Sequence, residues 1–456
     1  MKSKTLLLIS AMIVVLTVCL VSPSISVALP PSGDYPYKTT YVPLGSGVPG
    51  LLYQPTVATP TSHIGVFVTH FTNDYFRFIG VTELAKRGYT VLAANNSSTK
   101  SGFTGDTDMD KILVEAGYGV KYLKTQVPGV TNVVLLGHSG GGVVMSSYQT
   151  IAENGVSVCQ GPEKIVPCPD TLKGLTPADG VMLLDSNLGI PEMFLFSLDP
   201  AVVSDQNAQV VNPNLDLFNP KNGFNPTGSS DYSEKFIRKY LTKSGQRNNQ
   251  LIDYALDRLA LINEGKGRFS DDEPLIIAGG NYRGADNRLF SEDIQLWHHT
   301  NDPHPLLKAD GTVTAPQIIY SVRVPANFTN LSPSLWNGAL TTTVRRFLST
   351  FAVRTTPDYY FDASNIYGVD WDSSYSSPFW AVKGIHKPLL VMGMTGHWEF
   401  MSAEYLYNYA ASSDKTVIYN EGASHGFTAC GPCGFTGVDT VTPMFNYIDK
   451  WLSDRF

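Results

Sequence analysis

The chain has 456 residues, 43% of them hydrophobic and 16% charged, with a formal net charge of −7. That length holds two or three average domains, or one large domain carrying an insertion. A modest negative charge without runs of like sign argues against nucleic acid or an anionic membrane surface as the principal partner.

Lys2 and Lys4 precede the apolar stretch Leu6 to Val21, and Ser26-Val27-Ala28 closes a short polar segment. A basic start, an apolar centre and a small-x-small site are the layout of an export signal. Residues 1–28 are therefore expected to be removed, with the mature chain beginning near Leu29 in a secreted or periplasmic compartment. An uncleaved membrane anchor is the alternative, since the apolar run is close to spanning length. Cys19 follows Val18, which is too large for a good lipoprotein cleavage site, and no later stretch is long enough to span.

In chain order, Tyr37 to Val42 and Gly50 to Tyr53 read as an antiparallel pair, and Ile64 to Thr69 as a buried strand. Apolar spacing of three and four predicts a helix over Phe76 to Arg87, and Gly88 to Ala94 is the next strand. Met109 to Thr125 carries Ile112, Leu113, Ala116, Val120 and Leu123 on one helical face. Residues 132–136 read as strand, 143–152 as helix and 180–185 as strand. This alternation predicts an α/β fold, with a mostly parallel central sheet covered by helices on both faces.

The rhythm breaks between about 190 and 380, where Asn, Asp, Pro and aromatics accumulate. Helices are expected at Ser233 to Lys243 and Asn248 to Asn263, and strands at 274–278 and 317–322. Alternation resumes with strand 388–392, helix Ala403 to Ala411, strand 415–419 and a closing helix Thr440 to Leu452. The organisation expected is a catalytic domain of residues 29–189 and 382–456, interrupted by a cap or lid subdomain of residues 190–381.

Four cysteines remain after the leader, an even number that in an exported chain suggests two disulfides. Cys159 and Cys168 enclose a short loop with two prolines, which reads as a local staple. Cys430-Gly431-Pro432-Cys433 also matches redox motifs, but it trails a histidine loop where a redox centre would open a helix, so a structural bridge is favoured. The spacing is poor for a four-thiolate zinc site. Sequons at Asn95, Asn96, Asn327 and Asn330 would accept glycans in a host that attaches them.

Chemistry concentrates at Gly137-His138-Ser139-Gly140-Gly141, directly behind an apolar strand and ahead of a helix. With 40 glycines in the chain the pattern could arise by chance, so its strand–turn–helix context is what gives it weight. Glycines around Ser139 permit the tight turn that pushes a serine hydroxyl out of the sheet. A plain tight turn with a bystander serine is the bland alternative. Downstream, Glu421-Gly422-Ala423-Ser424-His425-Gly426-Phe427 sits between a strand and the last helix. An imidazole there, titrating near neutrality, could take the serine proton and return it to the leaving group.

This arrangement resembles the α/β-hydrolase superfamily over residues 29–189 and 382–456. The resemblance implies a serine nucleophile at Ser139, a histidine base at His425, and an acyl-enzyme route for carboxylic esters. It also implies an oxyanion hole from the N–H of Gly140 plus an N–H of Phe71 or Thr72, in the segment Thr69-His70-Phe71-Thr72-Asn73-Asp74. Phe71 stands where the family often has glycine, and His70 is expected to hold the loop. The acid departs from the family's pattern, because Gly393-Met394-Thr395-Gly396-His397-Trp398-Glu399 puts Gly396 at the usual aspartate position. Glu399 lies later in that loop and Asp185 ends the sixth strand, where some members carry the acid; Asp185 is slightly favoured. An amidase or peptidase using the same groups, or a non-catalytic binding module on the same fold, are the rival functions.

Other features are weaker. Trp297, Trp336, Tyr359, Tyr360, Phe361, Trp371, Trp380, Trp398, Tyr405 and Phe427 could line an apolar pocket, although most aromatics are simply core. His298-His299-x-x-Asp302-x-His304 looks like a ligand cluster but lacks a partner element. No cofactor and no metal is expected, and the partner expected is a small-molecule or lipid-like ester.

Overall fold

The computed structural model describes residues 34–98, 100, 105–205, 210–280, 288–326 and 338–456. The expected leader over residues 1–28, Cys19, the sequons at Asn327 and Asn330, and Trp336 lie outside the described residues. Among the described residues no helix is long and apolar enough to cross a membrane.

β1 (Tyr37–Pro43) and β2 (Pro49–Pro55) form the antiparallel pair, with Tyr37 opposite Pro55 and Pro43 opposite Pro49. β3 (Ile64–His70) leads to α1 (Ile79–Lys86), then to β4 (Thr90–Asn95) and α2 (Met109–Gln126). α1 starts three residues later than the apolar spacing predicts. Phe76 N–H is taken by Asp74 Oδ1 at 2.9 Å, and Phe78 is extended. β5 (Asn132–Ser139) runs straight into α3 (Gly140–Asn154), and β6 (Gly180–Ser186) follows.

The stretch after β6 contributes α4 (Ile190–Ser197), α5 (Glu234–Asn263) and two antiparallel ribbons. The ribbons are β7 (Pro274–Ala278) with β9 (Ala339–Thr343), and β10 (Arg354–Phe361) with β11 (Ile366–Asp370). α5 is one continuous helix where two are predicted. Ser244 and Gly245, which suggest a break in sequence, are buried on two sides: Ser244 Oγ donates to the Leu195 and Leu198 carbonyls at the end of α4, and a Cβ at Gly245 would stand 3.0 Å from Thr355 and Tyr359 of the ribbon. Asn248 Nδ2 donates to the Val353 carbonyl at 2.8 Å. The strand predicted at 317–322 does not form: Gln317 and Tyr320 make only isolated bridges to His304 and His299. β8 (Leu306–Leu307), from the same stretch, pairs with the edge of the main sheet. β12 (Leu389–Met394) and β13 (Lys415–Asn420) complete that sheet, and the closing helix is Val441–Ser453.

The main sheet runs β1-β2-β4-β3-β5-β6-β12-β13-β8, and only β2 opposes the direction of the rest. Near-continuous apolar strands are what a sheet covered on both faces demands. Alternate residues of β5 divide between two cores: Val133 and Leu135 join α2 and α3, while Val134 and Leu136 join α1 and the closing helix. Cys159–Cys168 and Cys430–Cys433 pair as the two disulfides, with Cα separations of 5.5 and 5.2 Å. Asn95 and Asn96 are buried; Asn96 Nδ2 donates to the His70 carbonyl at 2.6 Å, which leaves no room for a glycan on the folded chain.

Candidate active site

The carboxyl ends of β3, β5, β6 and β12 meet around Ser139. Strand order reverses at β3, between β4 and β5, and such a switch opens a crevice at strand C-termini. Ser139 occupies the junction of β5 and α3 at φ 54°, ψ −130°, a conformation that costs a non-glycine residue about 1–3 kcal/mol. The β5–β6 register jumps there, from His138 opposite Leu184 to Ser139 opposite Ser186. The Ser139 carbonyl is fixed by the N–H of Asn187 at 2.9 Å, and its hydroxyl does not cap the helix it precedes. Glycines let the neighbouring chain close in: a Cβ on Gly140 would lie 1.6 Å from the Phe71 ring, and one on Gly141 would lie 2.5 Å from the Thr69 carbonyl oxygen.

A turn after a parallel strand, with a strained serine at its apex in this sheet order, decides the architecture. The fold is that of the α/β-hydrolases. No family model and no curated protein matches the chain. Among solved structures, carboxyl esterase 2 from the fungus Tuber melanosporum is 10% identical over 93% of this chain and 88% of its own, with a TM-score of 0.38. A brefeldin A esterase, described as a bacterial homologue of human hormone-sensitive lipase, is 12% identical over 93% and 78%, at 0.40. A soluble variant of monoglyceride lipase from Saccharomyces cerevisiae is 11% identical over 95% and 98%, at 0.38. Likenesses this slight add nothing to what the strand order shows.

In this α/β-hydrolase fold His425 occupies the loop after β13. That loop is tied by the Ser424 N–H to the Thr428 carbonyl (2.7 Å) and by the Cys430 N–H to the Gly422 carbonyl (2.8 Å), just ahead of the Cys430–Cys433 bridge. His425 Nδ1 is 2.7 Å from Asp185 Oδ2, whereas Glu399 Oε2 stands 3.4 Å away. Asp185, itself at φ 44°, is fully buried and also accepts the Met394 N–H at 3.0 Å. Gly396, at the family's usual aspartate position, is where the two loops touch: a Cβ there would meet the Ala423 carbonyl at 2.7 Å and Cys430 at 2.8 Å.

Three further side chains join the site without having been singled out in sequence. His397 brings its Nδ1 to 3.0 Å from the same Asp185 oxygen. His138 Nε2 lies 2.7 Å from the His425 carbonyl, and Tyr75 Oη lies 2.6 Å from His138 Nδ1. A carbonyl only accepts, so His138 carries its proton on Nε2 and takes the phenol proton's bond on Nδ1. Burial favours that arrangement, holding His138 well below the ordinary imidazole range and the Tyr75 phenol well above its own. Rings stack continuously through Phe71, His70, Tyr75, Phe78, His138, His425 and His397, with centroids 4.2–4.7 Å apart. The motif histidine next to Ser139 was the available signal for His138.

Of the donors expected opposite Ser139, Gly140 opens α3 and Phe71 lies over it. Thr72 N–H donates to His70 Nδ1 at 3.1 Å, as does the N–H of Asn73 at 2.9 Å. His70 therefore holds its loop by its ring.

Charge is distributed unevenly. Burial works against ionised Asp185, but hydrogen bonds from His397 and His425 outweigh it and hold the carboxyl far below its usual range. For His425 burial opposes the charged form, yet Glu399 and Asp185 overcome it and raise the imidazole to about 8. Burial, reinforced by His425, pulls His397 down to about 4. Glu399 is pushed up to about 8 by burial, with Asp185 adding to the push. Its Oε2 is buried and makes no hydrogen bond.

The sequence's other suggestive groups lie elsewhere. His304 Nε2 pairs with Glu404 at 3.0 Å and His299 Nδ1 faces the Thr300 carbonyl, so the 298–304 histidines do not converge. Trp297 and Phe361 are buried with Phe196 and Phe290 in a cluster that reaches the site's edge through Trp398.

Proposed function

We propose that this protein is an exported serine hydrolase that cleaves carboxylic esters. Ser139 attacks the ester carbonyl as His425 Nε2 takes its proton. Asp185, on Nδ1, keeps the imidazole in the tautomer that leaves Nε2 free to accept and balances the charge that develops. The N–H of Gly140, with that of Phe71 or Thr72, holds the oxyanion. The protonated imidazole then gives its proton to the departing alcohol. Water, deprotonated by the same nitrogen, attacks the acyl-enzyme and releases the acid and Ser139.

The observation that carries this reading is the 2.7 Å contact between His425 Nδ1 and a fully buried Asp185, together with Ser139 held at φ 54° where β5 turns into α3. It favours Asp185 over Glu399 as the acid, and strain on a serine is what a nucleophile position requires. Two disulfides suit an oxidising compartment outside the cytoplasm. The substrate class is a small-molecule or lipid-like ester, and residues 190–381, apart from β8 in the main sheet, act as the cap over it. A fluorescent alkyl phosphonate tests the mechanism: it should label the wild type covalently and leave Ser139→Ala unlabelled. An unlabelled wild type would leave the fold as a binding module.

A further inference from the structure

Four ligand-type atoms converge beside the proposed base. Asp185 Oδ2, His397 Nδ1, Glu399 Oε2 and His425 Nδ1 all lie within 4.8 Å of one another, the single such cluster among the described residues. The individual contacts are 2.7 Å from Asp185 to His425, 3.0 Å from Asp185 to His397, 3.4 Å from His425 to Glu399 and 4.0 Å from His397 to Glu399. A tetrahedral zinc ion with bonds of about 2.0–2.1 Å sets its ligands about 3.3 Å apart, a value that these four contacts bracket. Only Asp185 and His425 are needed for ester hydrolysis, so two members have no part in that chemistry.

Glu399 is the more telling of the two. It is 2% exposed, and its Oε2 points into the cluster without a hydrogen bond. A buried carboxyl oxygen that makes no hydrogen bond is unfavourable, and a metal bond would relieve it. The histidines supply an entrance, with side chains 21% and 31% exposed at His397 and His425. Two imidazole nitrogens and two carboxylate oxygens suit a borderline ion such as zinc better than calcium or magnesium.

We propose that Asp185, His397, Glu399 and His425 form an inhibitory site for a divalent transition metal ion of the zinc class. The silencing part rests on His425 being the base. Binding puts the ion on both Nδ1 atoms, so each neutral imidazole moves its proton to Nε2, and any proton on Glu399 passes to solvent. The net charge of the four groups and the ion is then zero. With Nε2 of His425 already protonated and Nδ1 on the metal, no lone pair is left to take the Ser139 proton. Removal of the ion returns the Nδ1 proton to its bond with Asp185.

Equilibrium dialysis of the metal-free full chain against zinc chloride, with metal counted by mass spectrometry, tests the site. The wild type should take up one zinc ion per chain, and His397→Gln and Glu399→Gln should each bind about ten-fold or more weakly. Cobalt(II) in place of zinc should give the visible absorption of a tetrahedral ion in the wild type, a readout independent of either variant's folding. No saturable uptake, uptake unaltered by both substitutions, or an octahedral cobalt spectrum would overturn the site. In parallel, zinc should slow phosphonate labelling of Ser139 with the same half-saturation as binding, and a chelator should restore it. Zinc bound without slowed labelling would overturn the silencing. A metal-free wild type that never labels would overturn the hydrolase reading instead, and the dialysis would still decide the site.

Discussion

The carboxyl edge of the sheet and the stretch between α4 and β11 are built on opposite economies. At the edge, Ser139 and Asp185 take positive φ, and glycines are pressed against Phe71 and Thr69 until no methyl would fit. The intervening stretch instead joins its parts by ordinary means: one 30-residue helix, two short ribbons, and an aromatic cluster around Phe290 and Trp297. Among the described residues, left-handed backbone at non-glycine positions gathers at this edge, in Ser139, Asp185 and Phe427, and the intervening stretch has one such residue, Trp297. A fold can therefore lose stability in the second region and keep its chemistry, whereas small changes in the first should alter chemistry at once.

The largest effect that would break this contrast is at the apex. Ser139→Ala should reduce ester turnover by roughly a million-fold, as expected when a nucleophile is removed from a unit that acts together. Retained turnover in a p-nitrophenyl ester assay would place the chemistry elsewhere. Next, Asp185→Asn should cost about ten-thousand-fold, because an amide favours the wrong imidazole tautomer. Glu399→Gln should retain far more activity, and the reverse ranking in the same assay would exchange their roles.

The pH profile sharpens the comparison. The base works only when neutral, so the rate of phosphonate labelling should rise with pH through the His425 value of about 8 and then level off. Replacing Glu399 by Gln removes a carboxylate that raises that value, so the rising limb should move to lower pH. A limb that stays in place or moves upward would show that Glu399 does not act on His425 through its charge.

Smaller effects separate packing from catalysis. Gly140→Ala, driving a methyl into the Phe71 ring, should lower stability by about 1–3 kcal/mol in chemical denaturation, and Phe71→Ala in the same chain should recover part of it. Asn248→Ala in α5 loses a buried bond to the Val353 carbonyl and should lower Tm by an amount equivalent to about 1–2 kcal/mol. Its labelling rate should match the wild type. A slowed rate would mean that the two regions are mechanically joined after all.

Much of this was legible in the chain. Parallel strands announced themselves as apolar runs, and Ser139 and His425 fell at positions fixed by local strand, turn and helix signals. Asp185 was visible as a strand end, but choosing it over Glu399 needs the distance between loops 240 residues apart. His397 and Tyr75 gave no local signal, because their importance comes from rings that meet only after β3, β5, β12 and β13 are aligned. Sequence misread α5 at Ser244-Gly245 because a pair that weakens an isolated helix is, here, fixed from outside: Ser244 bonds to the end of α4 and Gly245 lets β10 lie close. Residues 317–322 have the composition of a strand, but their backbone bonds are divided among His298, Thr300, His304 and Thr395, so only isolated bridges form and no continuous ladder.

The bond from His138 to the carbonyl of His425 has a wider consequence. The residue before the proposed nucleophile grips the main chain of the proposed base, so their mutual placement is set within the sheet and its two end loops. Whatever covers the crevice can then be exchanged, lengthened or reshaped without retuning the reacting pair. Reactivity and the shape of the crevice's surroundings become separately inheritable, because changes outside the sheet and these two loops leave the clamp untouched.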